Sequence, residues 1–189
     1  MKLLIIAAAI ALIICLVPYI RVFFKRLKLA GELSKLCRSG KVRLHKNHAL
    51  WLFGTRRGKD CDFYLETGDT IWSVKLFGVK THHSELNLTD DGKYFMREYI
   101  AFAAGMFSRI PLDSKKHDLA VDFRADFNDD WYSKLFKPVL LVNPICMQIN
   151  YSTKTESRVI DAGEIVNEMY IYSLSRLISD IKSEVGNEC

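Results

Sequence analysis

The chain is poor in residues that break or cross-link a fold, with 4 Pro and 10 Gly among 189 residues. Collagen-like and mucin-like chains need far more of both, and no Pro/Gly-rich linker, internal repeat or low-complexity tract divides the sequence. Cys15, Cys37, Cys61, Cys146 and Cys189 are odd in number and none shares a CxxC spacing. Neither a disulfide framework nor a zinc knuckle is therefore expected, and five reduced thiols are the simpler reading. Also missing are a G-x-S-x-G elbow, a P-loop and a G-x-G-x-x-G fingerprint, which argues against a hydrolase of that class, an NTPase or a dinucleotide enzyme. Disorder is excluded by what is present: 49% of residues are apolar and 12% aromatic.

Much of that apolarity is concentrated at the N-terminus. From Leu3 to Ile20 (LLIIAAAIALIICLVPYI) there is no charged residue, and a helix of this run nearly covers a hydrocarbon core of about 30 Å. The rival reading is a cleaved secretory signal, since Met1-Lys2 and an apolar stretch also resemble an n-region and h-region. Cleavage needs small residues after that stretch, but the chain continues Pro18-Tyr19-Ile20-Arg21-Val22-Phe23-Phe24-Lys25-Arg26, which is bulky and basic. Residues 1–22 are thus expected to be an uncleaved transmembrane signal anchor.

Orientation follows from the flanking charges. The basic residues Arg21, Lys25, Arg26, Lys28, Lys35, Arg38, Lys41 and Arg43 face the single acid Glu32, whereas the N-terminal side offers only Lys2 and the amino group. The positive-inside rule then predicts a single-pass protein of the cell membrane with its C-terminal domain in the cytoplasm. The lipid bilayer is one expected partner, because juxtamembrane cations such as Arg21, Lys25, Arg26 and Lys28 favour anionic headgroups. This flank also accounts for more than the whole net charge of +5. The remainder is close to neutral and offers no broad electrostatic footprint for phosphates.

Phe23, Leu27, Leu29, Leu33 and Leu36 recur mostly at helical intervals and Gly40 supplies a C-cap, so 23–40 reads as a juxtamembrane amphipathic helix. Strand-like runs follow at Val42–His45, Ala49–Phe53, Asp60–Glu66 and Thr70–Phe77, the last two joined as a hairpin by Thr67-Gly68-Asp69. Residues 86–107 allow two readings. Asp91-Gly92 closes a second hairpin, or Thr89 caps a helix running toward Phe107. Residues 111–130 are polar and read as a surface excursion. Pro138–Val142 has the look of a buried strand, Met147–Tyr151 and Arg158–Ile160 of further strands, and Ile171–Ile181 of a helix behind Ser173. The expected fold is α/β: an N-terminal transmembrane helix, then one small domain over 41–189 with a mixed central sheet flanked by helices.

The run Gly58 to Lys75 holds the most chemistry. Alternation places Asp62, Tyr64 and Glu66 on one face of the first strand and Ser73 and Lys75 on one face of the second, so an acid and a lysine can converge. An Asp, a hairpin and then an x-Lys motif, behind a helix and ahead of an apolar strand and a closing helix, resemble the restriction-endonuclease-like superfamily and its NERD-like branch. Gly31-Glu32 is similar to the branch's helix Glu, the Asp62 hairpin to its central motif, Pro138 to Pro144 to its next core strand, and Ser173 to Ile178 to its closing helix. The family's (Asp/Glu)-x-Lys is here Ser73-x-Lys75, a departure that removes one of the two acids holding a divalent metal.

The resemblance implies catalytic roles for Asp62 and Lys75, with Glu32 or Glu66 as replacement acids and Asp62 and Glu66 as metal ligands. One carboxylate and a hydroxyl make a poor Mg²⁺ site. The expected function is therefore a non-catalytic binding or scaffolding domain of nuclease-like fold, with an unidentified protein partner and no cofactor. The alternative is a membrane-tethered nuclease that uses Mg²⁺ on DNA or RNA. His82, His83 and Glu85 suggest no zinc site, because adjacent residues on an extended segment face opposite ways. His45 and His48 read as turn or surface histidines, and Trp51, Phe53, Phe63, Trp72 and Phe77 as core.

Overall fold

A computed structural model describes residues 20, 23–46, 60–78, 84–101, 107–110, 116–143, 146 and 148–186. The apolar run of 3–19, the expected strand Ala49–Phe53, Arg21 and the histidines at 48, 82 and 83 lie outside the described residues. Among those described, no helix is long and apolar enough to cross a membrane.

Helix α1 covers residues 23–37. It buries Leu29, Leu33 and Leu36 at spacings of four and three, one helical face. Leu27 does not join them and stays exposed with Phe24, because it lies on the opposite side of the turn. The helix ends where Gly40 takes a φ of +74° and its N–H donates to the Cys37 carbonyl at 3.1 Å.

The first sheet then begins with an antiparallel meander, β1 (Val42–Lys46), β2 (Phe63–Thr67) and β3 (Thr70–Phe77). Beside β3, in parallel, runs β8 (Leu135–Val142) over eight register pairs from Thr70↔Leu135 to Phe77↔Val142. Next to β8, also parallel, stands β12 (Met169–Tyr172), and β11 (Ile165–Val166) completes the order β1-β2-β3-β8-β12-β11. Pro138 is tolerated inside β8 because pairing with β12 starts one residue later, at Val139. Ile171, expected in the closing helix, belongs instead to β12; helix α2 runs Leu174–Gly186. Ser173 still stands at its start, its Oγ accepting from the Arg176 N–H at 3.4 Å.

A second sheet is built from the chain between β3 and β8 together with the chain between β8 and β11. It comprises β4 (Ser84–Thr89), β5 (Lys93–Ala101), β6 (Phe107–Ile110), β9 (Gln148–Ser152) and β10 (Ser157–Val159) in the order β10-β9-β4-β5-β6, with the short β7 (His117–Asp118) also paired to β5. Asp91-Gly92 closes the β4–β5 hairpin, with Gly92 at φ +71°, so the hairpin reading of this segment holds and the helix reading fails. The expectation of one central sheet is corrected to two. Both are mixed, since β4 pairs with β9 in parallel and with β5 antiparallel.

These pieces form layers. Both helices cover one face of the first sheet, where Leu29, Leu33, Leu177 and Ile181 pack on Phe63, Leu65, Trp72, Val74, Val139 and Leu141. On the other face, Leu140, Val142, Val166 and Ile171 meet Leu86, Leu88 and Ile149 of the second sheet. A strand covered on both sides carries no polar alternation, which is why residues 138–142 read PVLLV. The rest of that face, over Tyr64 and Ile71, is covered by the polar stretch expected to be a surface excursion: Val121, Phe123, Phe127 and Trp131 are its anchors. Leu119 of the same stretch packs against the core between the two sheets. A one-turn 3-10 helix, Asp129–Ser133, holds Trp131 in place, capped by Asn128, whose Oδ1 accepts from the Trp131 N–H at 3.1 Å.

Candidate functional site

The end of the β2–β3 hairpin brings two of the four expected residues together. Phe63 pairs with Val74, and Asp62, one residue before β2, still donates its N–H to the Val74 carbonyl at 2.9 Å. There β2 stops while β3 continues, which leaves the Leu76 N–H without a strand to bond. The Asp62 carboxylate supplies the missing acceptor: its Oδ2 receives the Leu76 N–H at 2.9 Å. Oδ1 accepts from Arg26 Nη1 of α1 at 3.2 Å, and Lys75 Nζ stands 3.9 Å from Oδ2 while donating to the Asp60 carbonyl at 2.6 Å. With Asp62 only 6% exposed, this carboxylate is a buried charge matched by two cations and a backbone donor.

Arg26 is the participant that sequence reasoning missed. Next to an apolar run it reads as a flank charge for lipid, but Arg26 shares a helical face with the buried Leu29 and Leu33, and that periodicity is the signal that locates it. Lys25 and Lys28 remain exposed on α1.

The other two expected acids are engaged elsewhere. Glu32 lies on the exposed side of α1 and accepts from Lys35 Nζ at 2.9 Å; this hydrogen bond and the Lys35 charge hold its carboxyl below the usual range. Glu66 lies four residues along β2 from Asp62, about 13 Å at strand rise, too far to share an ion with it. Its oxygens accept from Lys134 Nζ at 2.7 Å and meet His45 Nε2 at 2.8 Å. His45 in turn packs edge-on against Trp131 with ring centroids 5.0 Å apart. Glu66 thus ties β1, β2 and the 3-10 turn together. Burial opposes its ionisation, but the Lys134 and His45 contacts outweigh it and keep the carboxyl below its ordinary value.

Two residues before Lys75, Ser73 is fully buried and its Oγ has no partner among the described residues. No group of three or more His, Cys, Asp or Glu side chains converges among them either. Cys61, adjacent to Asp62, is no nucleophile: burial pushes its thiol up to about 12, and its Sγ lies against the Asp122 carbonyl at 3.9 Å. Both Asp62 oxygens are thus engaged, Oδ1 by Arg26 and Oδ2 by the Leu76 N–H with Lys75 nearby.

Because the Glu66 carboxyl is lowered on folding, its contribution is present above the unfolded value of about 4.5 and is lost as pH falls through the folded value. Glu66→Gln should therefore flatten the acid limb of stability. The difference, at most about 1 kcal/mol after solvent screening, should be largest near neutral pH and shrink as the medium is acidified through the folded value. Urea unfolding across that range reads it, and parallel curves for the two proteins would show that the Lys134 and His45 contacts carry no weight.

Comparison with family models, with characterised proteins and with solved structures finds no match to this chain, so the chemistry of this site rests on its own geometry.

Proposed function

We propose that this chain is a membrane-anchored protein whose cytoplasm-facing part is a non-catalytic binding or scaffolding domain of nuclease-like fold. The saturated Asp62 carboxylate carries this reading: Arg26, Lys75 and the Leu76 N–H occupy the oxygens that a metal would need, and Ser73 stands where a second acid would complete the site. Four parts of the restriction-endonuclease-like resemblance also fall on one sheet, which supports the fold half of the proposal. They are α1, the β2–β3 hairpin, β8 and α2, with both helices on the same face. The family's helix acid has no counterpart at the site; α1 reaches it with a cation, Arg26.

The purified full chain, in detergent with Mg²⁺ or Mn²⁺ and labelled DNA or RNA, should give no cleavage above an Asp62→Asn control. Metal-dependent turnover that disappears in both Asp62→Asn and Lys75→Ala would replace this reading with the membrane-tethered nuclease.

The membrane half rests on the uncharged run at Leu3–Ile20 and the basic flank behind it. A C-terminal alkaline phosphatase fusion should be inactive and a fluorescent-protein fusion bright; the reverse pattern would put the domain on the other side.

A further inference from the structure

The outer face of the second sheet carries a polar row that the site above does not use. Along β4 and β9, Leu86, Leu88 and Ile149 turn inward to the core, so Glu85, Asn87, Gln148 and Asn150 turn outward. Outward-facing polar residues are ordinarily wet, yet Glu85 is 1%, Asn87 4% and Asn150 9% exposed. They line a cavity of about 430 Å³, with Arg97 and Arg158 at its sides.

Three amides in this cavity form a directed chain. Gln148 Nε2 donates to Asn150 Oδ1 at 2.7 Å, and Asn150 Nδ2 donates to Asn87 Oδ1 at 3.1 Å. The register that places Asn87 beside Asn150 makes the second link. The chain ends on Asn87 Nδ2, which has no partner among the described residues. A buried amide donor left unmade costs free energy that nothing in the sheet offsets, and a donor at the end of a polarised relay is strengthened by the links behind it.

The charges at the rim have protein neighbours of their own. Arg158 pairs with Glu164, and the Arg97 guanidinium lies over the Phe95 ring at 5.2 Å. What the cavity offers an incoming molecule is the Glu85 carboxylate beside amide and hydroxyl chemistry, the hydroxyls coming from Ser152 and Ser157, which are bonded to each other at 2.9 Å. A ligand hydroxyl is both donor and acceptor, so it completes the amide chain in either sense and can also donate to a carboxylate or amide oxygen beside it; an ammonium or a carboxylate does only one of these. Volume and lining together fit a molecule of one or two sugar rings.

We infer that this cavity is a binding site for a small neutral polyhydroxylated ligand, a saccharide, recognised through Asn87, Asn150 and Gln148. This goes beyond the function proposed above and lies on a different sheet from Asp62, so cleavage of nucleic acid by the protein would leave it standing.

The test is saturation-transfer NMR on the full chain in phosphatidylcholine nanodiscs. The probes are methyl pyranosides of glucose, galactose and mannose and N-acetylglucosamine, with inorganic phosphate and glycine as controls. At least one pyranoside should receive saturation, and neither control should displace it. Asn87→Asp keeps the shape and the oxygen that Asn150 bonds but removes the terminal donor, and should weaken binding about tenfold or more. Gln148→Leu, at the half-buried rim, removes the head of the chain with little risk to folding and should weaken it in the same direction. The inference is overturned if no pyranoside responds, if phosphate or glycine competes equally, or if Gln148→Leu, with an unchanged melting temperature, binds as the wild type does.

Discussion

A single carboxylate fixes how the N-terminal helix sits on the sheet. Asp62 accepts the last β3 backbone donor that β2 does not reach, and it holds Arg26 of α1 and Lys75 of β3 against the same two oxygens. Packing alone allows a helix to slide along an apolar face, since hydrophobic contact is non-directional. A buried ion pair is intolerant of such a slide, because separation leaves an unpaired charge out of water at a cost of several kcal/mol. The leucines at 29, 33 and 36 therefore supply adhesion, and the Asp62 tie supplies register. Arg26 lies a few residues beyond the uncharged run at Leu3–Ile20, so on the membrane reading this tie also sets where the domain hangs from its anchor.

The same geometry explains why the Asp62 carboxylate braces elements together. Divalent metal chemistry needs two acids that repel one another until the ion arrives. Here Ser73 contributes only a hydroxyl beside Lys75, and Asp62 holds secondary structure together. Glu66 serves in the same manner at the other end of the hairpin, joining His45 to Lys134. At the far end of the core, Glu184 of α2 accepts from Thr67 at 2.7 Å and pairs with Lys137 at 2.5 Å, fastening the second helix to β2 and β8. Lys137 at the same time lies over the Trp72 ring at 4.2 Å. Three carboxylates, at Asp62, Glu66 and Glu184, thus act as cross-braces between elements, and burial of the chain's charge is structural throughout this layer.

The legible parts of the fold were those with a local physical signal. Alternation in β2 and β3 paired Asp62 with Lys75, and Asp91-Gly92 marked its hairpin because only glycine takes φ +71° there without strain. Helical spacing found α1, though it admitted Leu27 to the buried stripe; periodicity does not say which of two adjacent faces meets the sheet. What was not legible depended on distant parts of the chain. Ile171 reads as helical with Leu174, Leu177 and Ile181, and becomes a strand only because β8 offers it a parallel partner. The second sheet is a tertiary fact of the same kind, built by pairing β4 with β9 across some sixty residues of sequence. In the site, Arg26 was visible by spacing but hidden by interpretation, since a cation next to an apolar run is first assigned to lipid. The roles of Glu32 and Glu66 turned on partners, Lys35 and Lys134, that no motif names.

The central claim is that Asp62 is a structural tie and not a metal ligand, and the two roles predict opposite energetics. A double-mutant cycle of Arg26→Met and Asp62→Asn, read by urea unfolding of the full chain in detergent with and without Mg²⁺, tests it directly. Each single change should destabilise, the pair should couple by about 1.5 kcal/mol or more, and Mg²⁺ should leave the wild-type midpoint unmoved. A more stable Asp62→Asn protein, together with a wild type that Mg²⁺ stabilises, would contradict it.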